Sequence, residues 1–219
     1  RKGRSIIHIH WKRNRLMPPR FVAKQLSNPS GFGGWLVRLG MNRGNARVNV
    51  FAVDRLDVQP TDSVVEVGFG GGPNLRRLMD RSASVVGIDR SADVVAAATK
   101  RFAAACAQDR ARFVLGDVEK LPVADGSCTK ALTVHTVYFW RSLEKGFGEF
   151  YRVLRPDGLL AVGFVPRERM DAMGMPPDIF TTRAPEELCE AATAAGFTVE
   201  LCQSPSGAPW IVALRRKGK

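Results

Sequence analysis

No apolar run in this chain approaches the ~18 residues that a membrane-spanning helix requires. A signal-peptide core near the start is missing as well, and the chain reads as cytoplasmic. Paired cysteines are also missing. Cys106, Cys128, Cys189 and Cys202 lie far apart with no C-x-x-C between them, which speaks against a zinc ribbon or a dithiol redox motif. They are expected as buried, reduced thiols, two on strands and two on helices, with no metal bound. Acids are missing from both ends. Seven of the 33 Lys and Arg fall in residues 1–20 and four in 215–219, where neither Asp nor Glu occurs. Without those eleven, residues 21–214 carry 22 basic against 21 acidic residues, a net of +1 within the total of +12. A basic total of that size suggests a nucleic-acid partner; a near-neutral core with two basic tails argues against one.

Internal repeats and low-complexity tracts are absent too. With 219 residues, 45% of them apolar, the chain has room for one domain of ordinary size whose core needs no disulfide or metal. It opens on Arg1, and one expectation is that native translation starts at Met17, with residues 1–16 non-native. An organelle-targeting segment and a nucleic-acid arm are the alternatives for that stretch.

From Thr61 onward, strand and helix patterns alternate. Val64–Gly68, Ser84–Asp89, Arg112–Leu115, Lys130–Val134 and Leu159–Val165 are short apolar runs that predict five strands. Pro73–Arg81, with Pro73 at the first helical position, Ala92–Ala107, Leu143–Leu154 and Pro185–Ala195 predict helices. Pro156-Asp157-Gly158 reads as a turn. Thr198–Cys202 and Trp210–Leu214 predict a closing antiparallel pair. This alternation points to an α/β fold, an open and mostly parallel sheet with helices on both faces. Such sheets bind ligands beyond the carboxyl ends of their strands.

Three strand ends carry the chemistry. The first strand runs into G-F-G-G-G, placing Gly68, Gly70 and Gly72 between a strand and a helix. Glycine lets the chain turn sharply and lets a ligand approach the backbone. Asp89 ends the second strand 21 residues after Gly68, where a carboxylate can accept hydrogen bonds from ribose hydroxyls. Asp117 follows the third strand and can face an adenine amino group. The ribose step serves dinucleotides equally well, but a hydride-transfer fingerprint needs a glycine where this chain has Pro73.

The segments V-V-E-V-G-F-G-G-G (64–72), V-V-G-I-D (85–89), G-D-V-E-K-L-P-V-A-D-G-S-C (116–128), A-L-T-V-H-T-V-Y-F-W (131–140) and R-V-L-R-P-D-G-L-L (152–160) together resemble the class I S-adenosylmethionine-dependent methyltransferases. The likeness is to the small soluble branch similar to ubiquinone and menaquinone-biosynthesis methyltransferases, and it covers roughly residues 60–165. It implies a Rossmann-like, doubly wound, mostly parallel seven-stranded sheet with an antiparallel last strand. It also implies S-adenosyl-L-methionine as cofactor and S-adenosyl-L-homocysteine as product. Gly68, Gly70 and Gly72 would then pack against the methionyl part, with Glu66 near its amino group. Asp89, followed by Arg90, would hold the ribose; Asp117 and the Val118 backbone would face the adenine. His135 would lie near the reacting methyl, although the family is not strict there.

For catalysis, His135 is the candidate base because an imidazole titrates near neutrality; Tyr138 is a second candidate. Packing alone explains both equally well, and methyl transfer needs no base when the acceptor is already nucleophilic. The fourth strand is not followed by the motif of amino-methylating nucleic-acid enzymes, an Asp, Asn or Ser before two prolines and an aromatic. The expected partner is therefore a small, partly apolar organic molecule. Trp35 and Met41 in a first segment, Asn28 to Asn45, and Met173, Met175 and Phe180 in a second, Pro166 to Arg183, are the candidate contacts. The expected organisation is a basic tail (1–20), a helical lid segment (21–60), the cofactor domain (61–215) with a lid insertion (166–184), and a second tail (216–219). Monomer and homodimer stay open. So do an RNA or protein methyltransferase docking through the tails, a nicotinamide-dependent oxidoreductase and a non-catalytic cofactor-binding module.

Overall fold

The computed structural model describes residues 46–203 and 210–216. The elements are α1 (Ala46–Leu56), β1 (Ser63–Val67), α2 (Leu75–Arg81), β2 (Ser84–Asp89), α3 (Ala92–Arg101), α4 (Ala103–Ala107), β3 (Ala111–Leu115), β4 (Cys128–Val134), a 3-10 turn (Val137–Phe139), α5 (Leu143–Val153), β5 (Leu154–Gly163), α6 (Arg167–Ala172), α7 (Pro185–Ala194), β6 (Phe197–Gln203) and β7 (Trp210–Arg216). The strands lie in the order β3-β2-β1-β4-β5-β7-β6. Neighbours from β3 through β5 pair in parallel, and β7 runs antiparallel to both β5 and β6. The chain winds outward from β1 to β3, then returns to place β4 on the other side of β1. That reversal opens a crevice at the carboxyl ends of β1 and β4, where a ligand is expected.

The two-residue period of a strand decides which helix each strand residue meets. Val65 and Val67 of β1, with Leu160 and Val162 of β5, face a core built from Phe147, Phe150 and Val153 of α5 and Leu188 of α7. Val64 and Leu132 point the other way, toward Ala52, Val53 and Leu56 of α1 and Leu78 of α2. Glu66 shares the Val64 side and is therefore carried under α1 and α2. Part of the expected lid segment is thus a core helix, since α1 packs on β4, β5 and β7 with Leu56 fully buried.

Several predicted elements differ in detail. Helix α2 starts at Leu75, not at Pro73; Asn74 is the capping residue, and its side chain is turned to Glu66 and makes no capping bond. The Ala92–Ala107 helix divides at Phe102, whose ring packs on Phe113 at 5.8 Å between centroids. Residues 155–158 do not separate two elements. They form an irregularity inside β5, which pairs with β4 at Leu154 and again from Leu159 onward, and Asp157 has φ 62°. Cys106 and Cys189 lie on helices and Cys128 and Cys202 on strands, all as free thiols. Only Cys128 is buried; the other three are half-buried. Among the described residues no helix is long and apolar enough to cross a membrane.

Candidate functional site

Glu66 is a buried carboxyl at the crevice, 3% exposed. Its Oε1 accepts a hydrogen bond from Asn74 Nδ2 at 3.0 Å, and the same amide group reaches Asn49 Oδ1 of α1 at 3.3 Å. Glu66 Oε2 has no hydrogen-bond partner among the described residues. Burial, with the Asp89 charge adding to it and Asn74 opposing, pushes the Glu66 carboxyl up to about 8. A buried acid with one open oxygen is a receptor for a cation or a donor group, since either relieves the cost of ionising it there.

Above it, the loop after β1 is shaped by positive φ at each expected glycine: Gly68 at 73°, Gly70 at 51° and Gly72 at 68°. A side chain at Gly68 would collide with Cγ2 of Thr136, which comes from the loop after β4. Thr136 is held in place by its hydroxyl, which meets Thr133 Oγ1 and accepts a hydrogen bond from Trp140 Nε1 at 3.1 Å. The loops after β1 and β4 therefore touch across the switch point.

Asp89, 7% exposed, ends β2. Its Oδ2 accepts from Gly70 N at 2.9 Å and its Oδ1 from Ser91 N at 3.0 Å. The carboxylate thus fixes the glycine loop. Gly116 N donates to Asp89 O at 3.0 Å, which brings the β3 end alongside. Asp117 follows, exposed, with Oδ1 accepting from Glu119 N at 2.9 Å, and Val118 is buried behind it. Arg90 is exposed, its guanidinium 5.3 Å from the centroid of the Phe139 ring.

His135 leaves β4 with φ 58°, a left-handed conformation uncommon outside glycine. Its N–H donates to Gly163 O at 2.7 Å. Nδ1 lies 3.3 Å from Tyr138 Oη, and Nε2 is buried without a partner among the described residues. Burial lowers the imidazole to about 4. Tyr138 is 5% exposed, and burial raises its phenol above the ordinary value, although Val165 N donates to Oη at 2.6 Å.

The structure brings Glu66, the three glycines, Asp89, Arg90, Asp117, Val118 and His135 to one end of the sheet, on the last residues of β1 and β2 and the loops after β1 to β4. Trp35 and Met41 lie outside the described residues. In the second segment Met173 is 54% exposed, Met175 is half-buried, and Phe180 is packed against Phe139 at 5.2 Å between centroids. That segment is bonded onto the 3-10 turn, with Thr181 N donating to Tyr138 O at 3.0 Å and Arg183 to Trp140 O at 3.1 Å. Sequence reasoning missed Asn49, Asn74 and Thr136. Asn74 carried a signal, as a polar residue directly behind the glycines, whereas Asn49 and Thr136 enter only through tertiary contacts.

A family model for a methyltransferase domain matches residues 65–162. The chain is 29% identical over 126 residues to an uncharacterized methyltransferase of Bacillus subtilis, covering 57% of this chain and 67% of that protein. It is 31% identical over 127 residues to a demethylmenaquinone methyltransferase of Beutenbergia cavernae, covering 58% of this chain and 49% of that one. In other curated relatives the aligned stretch is about a third of the relative's length. The fold is similar to that of a SAM-dependent methyltransferase of Aquifex aeolicus, with a TM-score of 0.62 at 19% identity over 76% of this chain and 87% of that one.

Proposed function

We propose that this chain is a class I S-adenosylmethionine-dependent methyltransferase that methylates a small, partly apolar organic acceptor of the lipid, quinone or secondary-metabolite kind, a reading supported by the matching methyltransferase-domain model and the methyltransferase relatives. The observation that carries the reading is Glu66, a buried carboxyl with one oxygen open beneath a loop of left-handed glycines. Those residues fit the cofactor, whose sulfonium and amino groups are cationic. In this reading Glu66 meets the amino group, Asp89 accepts from the ribose, and Asp117 and Val118 face the adenine. When bound, the cofactor supplies the activated methyl group. The protein's part is to orient two reactants and exclude water, and geometry of this kind can supply most of the rate enhancement.

Support for a small acceptor comes from the near-neutral +1 core and from the demethylmenaquinone relative. Met175 and Phe180, at the margin of the 3-10 turn, are the proposed apolar contacts, with exposed Met173 beside them. Calorimetric titration of the full chain tests the cofactor. S-adenosylmethionine and S-adenosylhomocysteine are expected to bind and nicotinamide cofactors not to; binding of the latter alone would overturn the reading. Asp89→Ala, which removes a charged acceptor, is expected to weaken binding about 10- to 100-fold. A metabolite extract incubated with methyl-labelled cofactor, with the product identified by mass, tests the acceptor.

A further inference from the structure

We propose that Tyr138 locks His135 as a neutral hydrogen-bond donor through Nε2, so that His135 recognises an oxygen of the methyl acceptor and does not take a proton from it. The argument is a count of protons and lone pairs. Tyr138 Oη has one hydrogen and two lone pairs, and Val165 N–H fills one of those pairs. The phenol hydrogen needs an acceptor in a buried place, and the one in reach among the described residues is His135 Nδ1. Were Nδ1 to carry the proton, it would point a second donor at Oη and leave the phenol hydrogen stranded. That form leaves two buried groups unmet, the phenol hydrogen and the bare Nε2, whereas a proton on Nε2 leaves only the Nε2 hydrogen unmet, and each buried unmade bond is costly. Nδ1 is therefore the acceptor, and in a neutral imidazole the proton then sits on Nε2.

Neutrality follows from burial, which holds the ring well below its ordinary range. Nε2–H is then a buried donor with no partner among the described residues. The ring is held there at some expense, since His135 keeps a left-handed backbone pinned by Gly163 O. An unsatisfied donor on a strained residue at the crevice is a site built for an acceptor atom.

The acceptor side is chosen by what holds Tyr138. Val165 directly precedes the 166–184 segment, Thr181 N donates to Tyr138 O, and the Phe180 ring lies 6.2 Å from that of Tyr138. His135 is thus oriented from the segment assigned to the organic substrate, whereas its neighbour Thr136 meets the glycine loop. A ring with both nitrogens so occupied cannot serve as a base. The substrate class that fits carries a carbonyl or oxyanion oxygen beside the methylated atom and arrives already nucleophilic. This substrate assignment rests on the methyltransferase reading; the proton placement does not.

The test is nuclear magnetic resonance of the ¹⁵N-labelled, ligand-free full chain, with the His135 signals assigned by their loss in His135→Gln. The expected spectrum has a protonated Nε2 and a bare Nδ1. Tyr138→Phe is expected to release the ring into a mixture of tautomers. A proton on Nδ1, a doubly protonated ring at neutral pH, or an Nε2–H form that Tyr138→Phe leaves unchanged would each overturn the proposal. If that variant does not fold, the wild-type spectrum still decides the tautomer. In the label-transfer assay on a metabolite extract, Gln keeps an N–H without a basic nitrogen. His135→Gln should therefore lose about tenfold and His135→Leu clearly more. Equal losses of about 10²-fold or more in both variants would mean a base and overturn the donor role. Absence of transfer by the wild type would sink the methyltransferase reading and leave the spectrum to judge the tautomer.

Discussion

Glu66 carries a cost whenever it is ionised without a partner. Its folded-state value of about 8 lies above the ordinary 4.5, so the folded chain binds a proton that the unfolded chain has lost. Stability therefore falls as pH rises from about 4.5 through 8, by about 1.4 kcal/mol for each unit between the two values at most. Glu66→Gln removes that penalty. Thermal denaturation is expected to show the variant melting above the wild type at pH 8, with the gap closing toward pH 5. The same variant is expected to bind S-adenosylhomocysteine more weakly, a trade of stability against function. A melting point that shows no pH-dependent gap would mean that Glu66 is ionised without penalty.

At the scale of elements, the loops after β1 and β4 depend on each other through one contact. Gly68→Ala places a methyl against Thr136 Cγ2 and forces a left-handed backbone on a residue with a side chain. The backbone part alone costs about 1–2 kcal/mol. Thr136→Ser deletes the opposing methyl and keeps the hydroxyl that meets Thr133 and Trp140. The double variant is expected to recover the collision part of the loss in denaturant unfolding, and to keep the backbone part. Strict additivity of the two substitutions would mean that the loops do not touch. The loop after β3 is fixed differently. Arg152 of α5 donates to Val123 O at 2.8 Å and Leu121 O at 3.0 Å, while Glu149 accepts from Leu121 N at 2.6 Å. Its contact with Asp125 matters less, because that partner is 79% exposed and surface pairs are worth little. None of these clamps was legible in the chain. The strands were, because an apolar run bounded by glycine or aspartate is a local signal. The helix starts were less so: α2 begins after Asn74, whose side chain is bonded to Glu66, and not at Pro73.

For the whole molecule, the sheet order matters most. Glu66, Asp89, Asp117 and His135 come from four strands and meet because the order reverses between β1 and β4. A ligand bound at that junction as proposed would tie α1, the glycine loop and the 166–184 segment together, and so would stabilise the whole fold by mass action. At about 100 times its dissociation constant a ligand adds about 2.7 kcal/mol. For a domain of this size that raises the melting temperature by about 5–10 °C. S-adenosylhomocysteine is expected to produce such a rise and a nicotinamide cofactor none; no rise with the former, at saturation measured independently, would place its site elsewhere.

The sequence by itself determined the alternation of strands and helices, the glycine loop, the acids at the ends of β2 and β3, and the neutrality of the core against its tails. Each is written in neighbouring residues or in a running count, so no folding is needed to read it. The tertiary structure alone decided which of those residues would be buried, and through burial their protonation. Glu66 is an ordinary acid in the chain and a neutral one under α1. His135 is an ordinary base in the chain, but the hydroxyl of Tyr138 and the backbone of Val165 hold it as a donor. Charge and tautomer are set by the distance to water and to partners far along the chain, and those distances exist only once the sheet has reversed its order.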